Sequence, residues 1–490
     1  MKTALVLCPQ WDAQWPAYSL ALLSALLKRR GHETLIIDLN REMTTLSESR
    51  TSKDFDSFPC VEAPWLDDAY VRENVVPAYR NAIQSAIERI LAAHVKLVGF
   101  SLFFSNWSLS LYVAQELKRR DPAIRIVAGG PSCSKFDACL DLVRRREIDA
   151  VVYGEADESY PALVETFAAE GELRSAPGVF LSDDPAGWTD KKSEIRCLDT
   201  LPYGDFSGFR MEEYPRGKSA HTCRGCVRRC VFCTEWRIGS YRRMSAERIF
   251  AEIKHQLAQH PSVREFIFAD SLLNGDIKIL EEFCRRVLSA GLETRWGGWA
   301  IVRPEMDEAF LTLMHRAGCR WLLFGIESGS PKILRDLSKH VAPELNGRVL
   351  SSAKRAGVET VASMMVGFPT ETEKDFSQTL DFLTRYRDSF SIVTPCLFGI
   401  EELKGEAARY GLTDTEHNLF WRSQRGENDF PVRLGRLKRF MALCRDIGID
   451  VRFEGKISAR DFAPHHEAMS RHYRQWKNGR AAIDKEALLQ

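Results

Sequence analysis

Net charge is almost absent from this chain: 68 Lys and Arg face 67 Asp and Glu, leaving +1 over 490 residues. A mainly electrostatic nucleic-acid binder would carry a clear basic excess, so only a local basic groove stays open. Long apolar runs are missing as well. None approaches the roughly 20 residues that cross a bilayer. The opening Met1–Cys8 stretch mimics a signal peptide, but Pro9, Gln10 and Trp11 end its apolar run at once. Internal repeats and low-complexity tracts are lacking too. With 44% hydrophobic and 28% charged residues, the composition is that of an ordinary globular protein with several cores. A cytoplasmic location and no membrane partner are expected.

Cysteine, by contrast, is plentiful. Of 13 cysteines, four fall in one short stretch, at Cys223, Cys226, Cys230 and Cys233. A disulfide scaffold spreads pairs through a short secreted chain, which this is not. Singles such as Cys8, Cys284 and Cys444 sit in apolar patterns and read as small buried hydrophobes. The cluster reads as a metal site in a reducing compartment.

The first part of the chain alternates strands and helices. Apolar runs at Thr3–Leu7, Thr34–Ile37, Val95–Phe100, Arg125–Ala128 and Ala150–Tyr153 predict strands, with helices at Tyr18–Arg30 and from Asn106 to Arg120. Short strands alternating with helices imply right-handed crossovers and a doubly wound, Rossmann-like parallel sheet. Ligands of such sheets bind beyond the carboxyl ends of the strands, where the topology switches direction. Ser101, Ser105, Gly129, Gly130, Gly154 and Glu155 all fall at those ends. They read either as ligand-lining positions or as tight strand–helix turns.

As a set, Pro16 through Asp38, Val98-Gly99-Phe100-Ser101, Ala128-Gly129-Gly130-Pro131 and Val152-Tyr153-Gly154-Glu155 resemble the amino-terminal cobalamin-binding domain of radical S-adenosylmethionine (SAM) enzymes. The resemblance implies cobalamin at those six strand-end residues. No histidine sits in the Asp-x-His-x-x-Gly loop through which many cobalamin proteins ligate cobalt, so cobalamin without a lower histidine ligand is what the resemblance implies.

Cys226, Cys230 and Cys233 follow a three-residue, then two-residue spacing. Soft thiolates suit iron and zinc. Three of them in one loop leave one iron of a 4Fe–4S cube open to a small chelating molecule, whereas four would close a site. The alternative is a zinc knuckle that also recruits Cys223. The spacing resembles that of the radical SAM superfamily, which implies that SAM chelates the open iron, that Phe232 lies against adenine and that Cys223 is not a ligand.

Strands are predicted downstream at Glu265–Phe268, Thr294–Trp299, Trp321–Ile326, Thr360–Val366 and Ser391–Leu397, with Ser245 as a helix N-cap. They suit a partial (β/α)6 radical SAM barrel, whose functional residues cluster at strand carboxyl ends. Asp270, Arg303 and Glu327 fall there. The resemblance places Asp270 near the methionine end of SAM, and Arg303 and Glu327 near its ribose or carboxylate. Glu371 and Glu373 read as loop and helix-start charges. Phe430-Pro431 opens a basic amphipathic helix through Phe440 and Cys444, and the tail (Arg471, His472, Tyr473, Arg474, Trp476, Lys477) reads as a helical face packed on the barrel.

The expected organisation is a cobalamin-binding domain over 1–182, a linker over 183–212, the barrel over 213–400 and a mainly helical extension over 401–490. The expected activity is methyl transfer to an unactivated carbon of a small molecule or peptide. A flavodoxin- or ferredoxin-type protein would supply single electrons, and no nucleic acid is expected. Competing readings are a cobalamin-binding radical cyclase without methyl transfer and a tRNA methylthiotransferase. The latter would need a second cysteine set, into which only Cys8, Cys60, Cys133 and Cys139 could be drawn. An electron carrier or assembly factor with a fully ligated cluster comes last.

Overall fold

A computed structural model describes residues 1–49, 65, 68–214, 216–424, 426–453, 457–458, 467, 469–471 and 473–478; Cys60 and His472 lie outside them. Two compact units emerge, Met1–Arg224 with Ile238–Ala269, and Gly225–Arg237 with Asp270–Gln490.

In the first unit, β1 (Lys2–Leu7), α1 (Tyr18–Arg29), β2 (Glu33–Asp38), α2 (Leu39–Ser49), α3 (Arg80–Ala92), β3 (Leu97–Ser101), α4 (Trp107–Arg120), β4 (Arg125–Gly129), α5 (Phe136–Val143), β5 (Ala150–Val152), α6 (Ala156–Glu170) and β6 (Val179–Leu181) follow in order. The sheet runs β2-β1-β3-β4-β5-β6, so the direction of winding reverses between β1 and β3. Strand cores such as Ala4, Val6, Val98, Ile126 and Val151 are fully buried, as strands covered on both faces must be. All pairs are parallel except β5–β6. The sequence reading missed that edge strand. After α6 the extended stretch 172–178 reaches the end of β5, where the Gly178 carbonyl accepts from the Tyr153 amide (2.7 Å), and the chain then pairs in the opposite sense.

The stretch expected as a linker over 183–212, and the residues just beyond it, make contacts within this unit. Ser193 bridges Gly154, the Ile195 amide donates to Glu155 (2.8 Å), and Tyr214 donates to Asp38 (2.5 Å).

The first unit also holds β7 (Lys218–Ala220) and β8 (Cys223–Arg224), then β9 (Arg242–Arg243), α7 (Ala246–Gln259) and β10 (Glu265–Phe268). β7 pairs parallel with β10, and β8 antiparallel with β9. Ser245 caps α7, its hydroxyl accepting from the Arg248 amide (3.1 Å).

The second unit continues with α8 (Ile277–Ser289), β11 (Arg295–Ala300), α9 (Glu308–Arg316), β12 (Cys319–Glu327), α10 (Pro331–Asp336), α11 (Pro343–Arg355), β13 (Glu359–Val366), α12 (Glu373–Arg385), β14 (Ile392–Leu397) and α13 (Phe430–Asp446). β11 to β14 pair in sequence order, all parallel. Counted with β7 and β10 of the first unit, the parallel-paired strands number six, as expected of the barrel. The first of the six precedes the cysteine loop, however, and Lys218-Ser219-Ala220 is too short and polar to announce itself.

Asp429 caps α13 by accepting from the Val432 amide (3.0 Å), and Phe430, Leu437, Phe440 and Cys444 are buried along it. Its charged face is not wholly solvated. Arg433 and Arg436 turn inward at 0% and 4% exposure. The tail residues Tyr473 and Trp476 pack on Phe420, with ring centroids 5.4 Å away in each case.

Candidate functional site

The cysteine loop belongs to the second unit. Cys230 is buried, while Cys226 and Cys233 are partly exposed. Three local bonds shape the loop: the Arg228 amide points at Cys226 Sγ (3.4 Å), the Cys233 amide donates to the Cys230 carbonyl (3.2 Å), and Trp236 Nε1 donates to that same carbonyl (3.0 Å). Burial pushes the Cys230 thiol up, and the Cys233 thiol to about 12. Such thiols ionise readily only when a cation takes the charge, which is what a metal ligand requires. Among the described residues, no three His, Cys, Asp or Glu side chains are placed to share one ion. Three thiolates on three corners of a cube need no such convergence, since each binds a different iron. Cys223 lies outside the loop, buried on β8. Cys8, Cys284 and Cys444 are fully buried, as their apolar settings imply.

Phe232 meets Phe398 edge-on, with centroids 6.5 Å apart, on the rim of a core that includes Phe368, Tyr410 and Trp421. Asp270, two residues past β10, is 3% exposed. Arg303, in the loop after β11, points at the loop after β10, donating to the Asn274 and Gly275 carbonyls (3.2 and 2.8 Å). Glu327 ends β12 at a register shift and takes φ +66°, a left-handed conformation that side chains rarely adopt. It is 4% exposed; Oε1 pairs with Lys339 (3.0 Å), and Oε2 is buried without a hydrogen-bond partner. Its left-handed backbone and idle buried acceptor at a strand's carboxyl end make Glu327 a candidate functional position.

Glu371, expected as a loop charge, is buried. It accepts from the Gly367 amide (2.9 Å) and from Arg436 of α13 (3.2 Å), and burial raises its pKa to about 7. Glu373 does sit in the first turn of α12, facing Arg436 and Arg439.

In the first unit, the six expected cobalamin residues divide by what they already contact. The Ser105 hydroxyl donates to the Gln10 carbonyl (2.6 Å). Glu155 takes a two-pronged ion pair from Arg242 (2.7 and 2.9 Å) and a further one from Arg224 (3.2 Å). Gly130 (φ +102°) and Gly154 (φ +93°) are required by the fold itself: a Cβ would stand 2.8 Å from the Leu102 amide nitrogen and 2.7 Å from the Ser193 carbonyl. Ser101 and Gly129 remain half-buried, and a Cβ on Gly129 would make only an ordinary 3.7 Å contact with Val152.

The sequence reading passed over the residues between these points. Asn106 is fully buried and ties the ends of β1 and β3 together by donating to the Cys8 and Ser101 carbonyls (3.2 and 3.0 Å). Trp11 stacks on Phe103 at 3.9 Å, and Trp11 and Phe104 are 41% and 47% exposed. Ser132 is buried with its hydroxyl unpartnered. Large aromatics left open at a switch point, with an idle buried hydroxyl after β4, form a candidate ligand-binding shelf. The signal was legible only as three aromatics flanking two strand ends.

Residues 221–383 match the family model for the radical SAM superfamily. Among curated relatives, an uncharacterized methyltransferase, PH0819, of Pyrococcus horikoshii is 27% identical over 61% of this chain and 67% of its own length. Hopanoid C-3 methylase of Methylococcus capsulatus is 30% identical over 56% and 53%. The anaerobic magnesium-protoporphyrin IX monomethyl ester cyclase of Cereibacter sphaeroides is 26% identical over 55% and 47%. The chain thus spans about half to two thirds of these relatives. Among solved structures, the cobalamin-dependent SAM radical enzyme OxsB, with aqua-cobalamin and SAM bound, superposes with a TM-score of 0.62 at 17% identity, over 84% of this chain and 54% of that one. The radical SAM methyltransferase TsrM of Kitasatospora setae, with cobalamin and a 4Fe–4S cluster bound, gives 0.59 at 17% identity, over 81% and 72%. On these grounds the chain carries a radical SAM domain over residues 221–383, within a fold shared with the cobalamin-dependent radical SAM enzymes.

Proposed function

We propose that this protein is a cobalamin-dependent radical SAM methyltransferase acting on an unactivated carbon of a small molecule or peptide. The observation that carries the proposal is the presence, in one chain, of a three-cysteine loop in a radical SAM domain and a switch-point shelf on a Rossmann-like sheet. When bound, the cluster and SAM would supply a 5′-deoxyadenosyl radical for hydrogen abstraction, and cobalamin a methyl group carried on cobalt.

Cys226, Cys230 and Cys233 would hold the cluster. Phe232, Asp270 and Glu327 would orient SAM, with the idle Glu327 oxygen offered to a hydroxyl or ammonium donor. Arg303, turned toward carbonyls, would shape the Asn274–Gly275 loop more than touch SAM. Ser101, Gly129, Ser132 and the Trp11–Phe103 pair would line cobalamin. Ser105, Gly130, Gly154 and Glu155 would support that wall from behind. An external one-electron donor of flavodoxin or ferredoxin type completes the system.

A second reading, radical ring formation without methyl transfer, draws support from the alignment with the cyclase. Incubation with methyl-labelled SAM and a reductant, after growth with cobalamin, separates the two. Both 5′-deoxyadenosine and S-adenosylhomocysteine should form. Formation of 5′-deoxyadenosine alone would defeat the methyltransferase reading and favour the cyclase.

A further inference from the structure

The short segment after α10 runs alongside the cysteine loop. The Val231 amide donates to the Leu337 carbonyl (3.3 Å), and the Lys339 amide turns back to the Leu334 carbonyl (2.9 Å). Lys339 then points inward, its side chain 10% exposed. Its ammonium donates to the Gly325 carbonyl (3.0 Å), pairs with Glu327 (3.0 Å) and stands 5.8 Å from the centroid of the Phe232 ring. Phe232 follows Cys230 by two residues and directly precedes Cys233, so the buried ammonium stands beside the ring that separates two proposed cluster ligands.

We propose that Lys339 is the internal counter-cation of the cluster held by Cys226, Cys230 and Cys233, positioned by Glu327 so that the cluster accepts an electron more readily. The inference rests on the cluster reading above. Reduction adds one electron and neither makes nor breaks a bond. The added negative charge is stabilised by a nearby cation, and burial keeps that interaction from being screened as it would be in water. Lys339 is thus a positioning residue acting through charge, not a group that touches the substrate.

The test is an anaerobic redox titration of the reconstituted cluster without SAM, with dithionite as electron source, read by electron paramagnetic resonance. Iron content is measured for each protein. Lys339→Met should lower the reduced-to-oxidised ratio at a fixed potential about tenfold, which for one electron is about 59 mV. Lys339→Arg should stay near wild type, and Glu327→Gln should move the ratio the opposite way. If Lys339→Met holds too little iron to titrate, the Arg and Gln variants decide. A Lys339→Met protein with full iron and an unmoved potential, or a Glu327→Gln shift absent or in the same direction as Lys339→Met, overturns the proposal. A wild-type protein that takes up no cluster would instead remove the cluster reading beneath it.

Discussion

Each cluster cysteine has its own local support, and this makes the ligand set testable residue by residue. Replacing Cys226, Cys230 or Cys233 by Ala should remove most bound iron and abolish SAM cleavage. Cys223→Ala, on β8, should leave both nearly intact. Iron per chain and 5′-deoxyadenosine yield are the measurements. Asp38 gives a second residue-scale test, on stability. Burial raises its pKa from 3.8 to about 6, against the opposing bonds from Tyr214 and the Arg41 amide. A carboxyl whose pKa rises on folding favours the folded state while protonated. Its contribution is therefore complete below pH 3.8 and is lost as pH rises through about 6. The melting temperature of the wild type should accordingly fall relative to Asp38→Asn across that window. Parallel curves for the two proteins would show that Asp38 does not titrate there.

At the scale of elements, the turn after β13 is locked by the inward arginine of α13. Arg433 donates to the Asn428, Leu419 and Trp421 carbonyls (2.8, 2.7 and 3.0 Å), and its guanidinium lies 3.5 Å from the Trp421 ring centroid. Gly367 has φ +87°, and a Cβ there would come within 2.2 Å of Arg433 Cδ. Gly291, at φ +59°, has nothing within 4 Å of a Cβ. Gly291→Ala should cost roughly 1–2 kcal/mol, the left-handed penalty alone. Gly367→Ala should cost about 3 kcal/mol or more, because overpacking adds to that penalty. Denaturant unfolding compares them, and equal losses would contradict the packing argument.

Elements of this kind also mark where the sequence stops being legible. Strand periodicity and the Ser245 cap were readable because each is local. β6 was not, since its antiparallel sense depends on how the 172–178 stretch returns. The cysteine spacing was readable for the same reason that Ser245 was. Lys339 was not, because its role follows from a contact with Glu327 across the end of a strand. Glu371 reads as a loop charge in the sequence because its burial against Arg436 follows only once α13 packs.

At the scale of the whole molecule, the residues proposed for the two cofactors lie in different units: the cysteines in one and Gly129 in the other. Gly129→Leu should therefore lose cobalamin while keeping iron, read as cobalt and iron per chain after growth with cobalamin. Gly130 is the wrong position for this test, since its φ and its approach to Leu102 would strain the fold itself. A wild-type protein with full iron and no cobalt under saturating cobalamin would contradict the cobalamin assignment.

The claim beneath all of these is an iron–sulfur cluster held by three thiolates, with one iron open to SAM. The most direct measurement is the electron paramagnetic resonance spectrum of the reduced cluster before and after SAM is added. The account predicts that SAM changes the spectrum in both the wild type and Cys223→Ala. A spectrum indifferent to SAM, or a Cys223→Ala protein as empty of iron as Cys226→Ala, would show a site closed by four thiolates and contradict it.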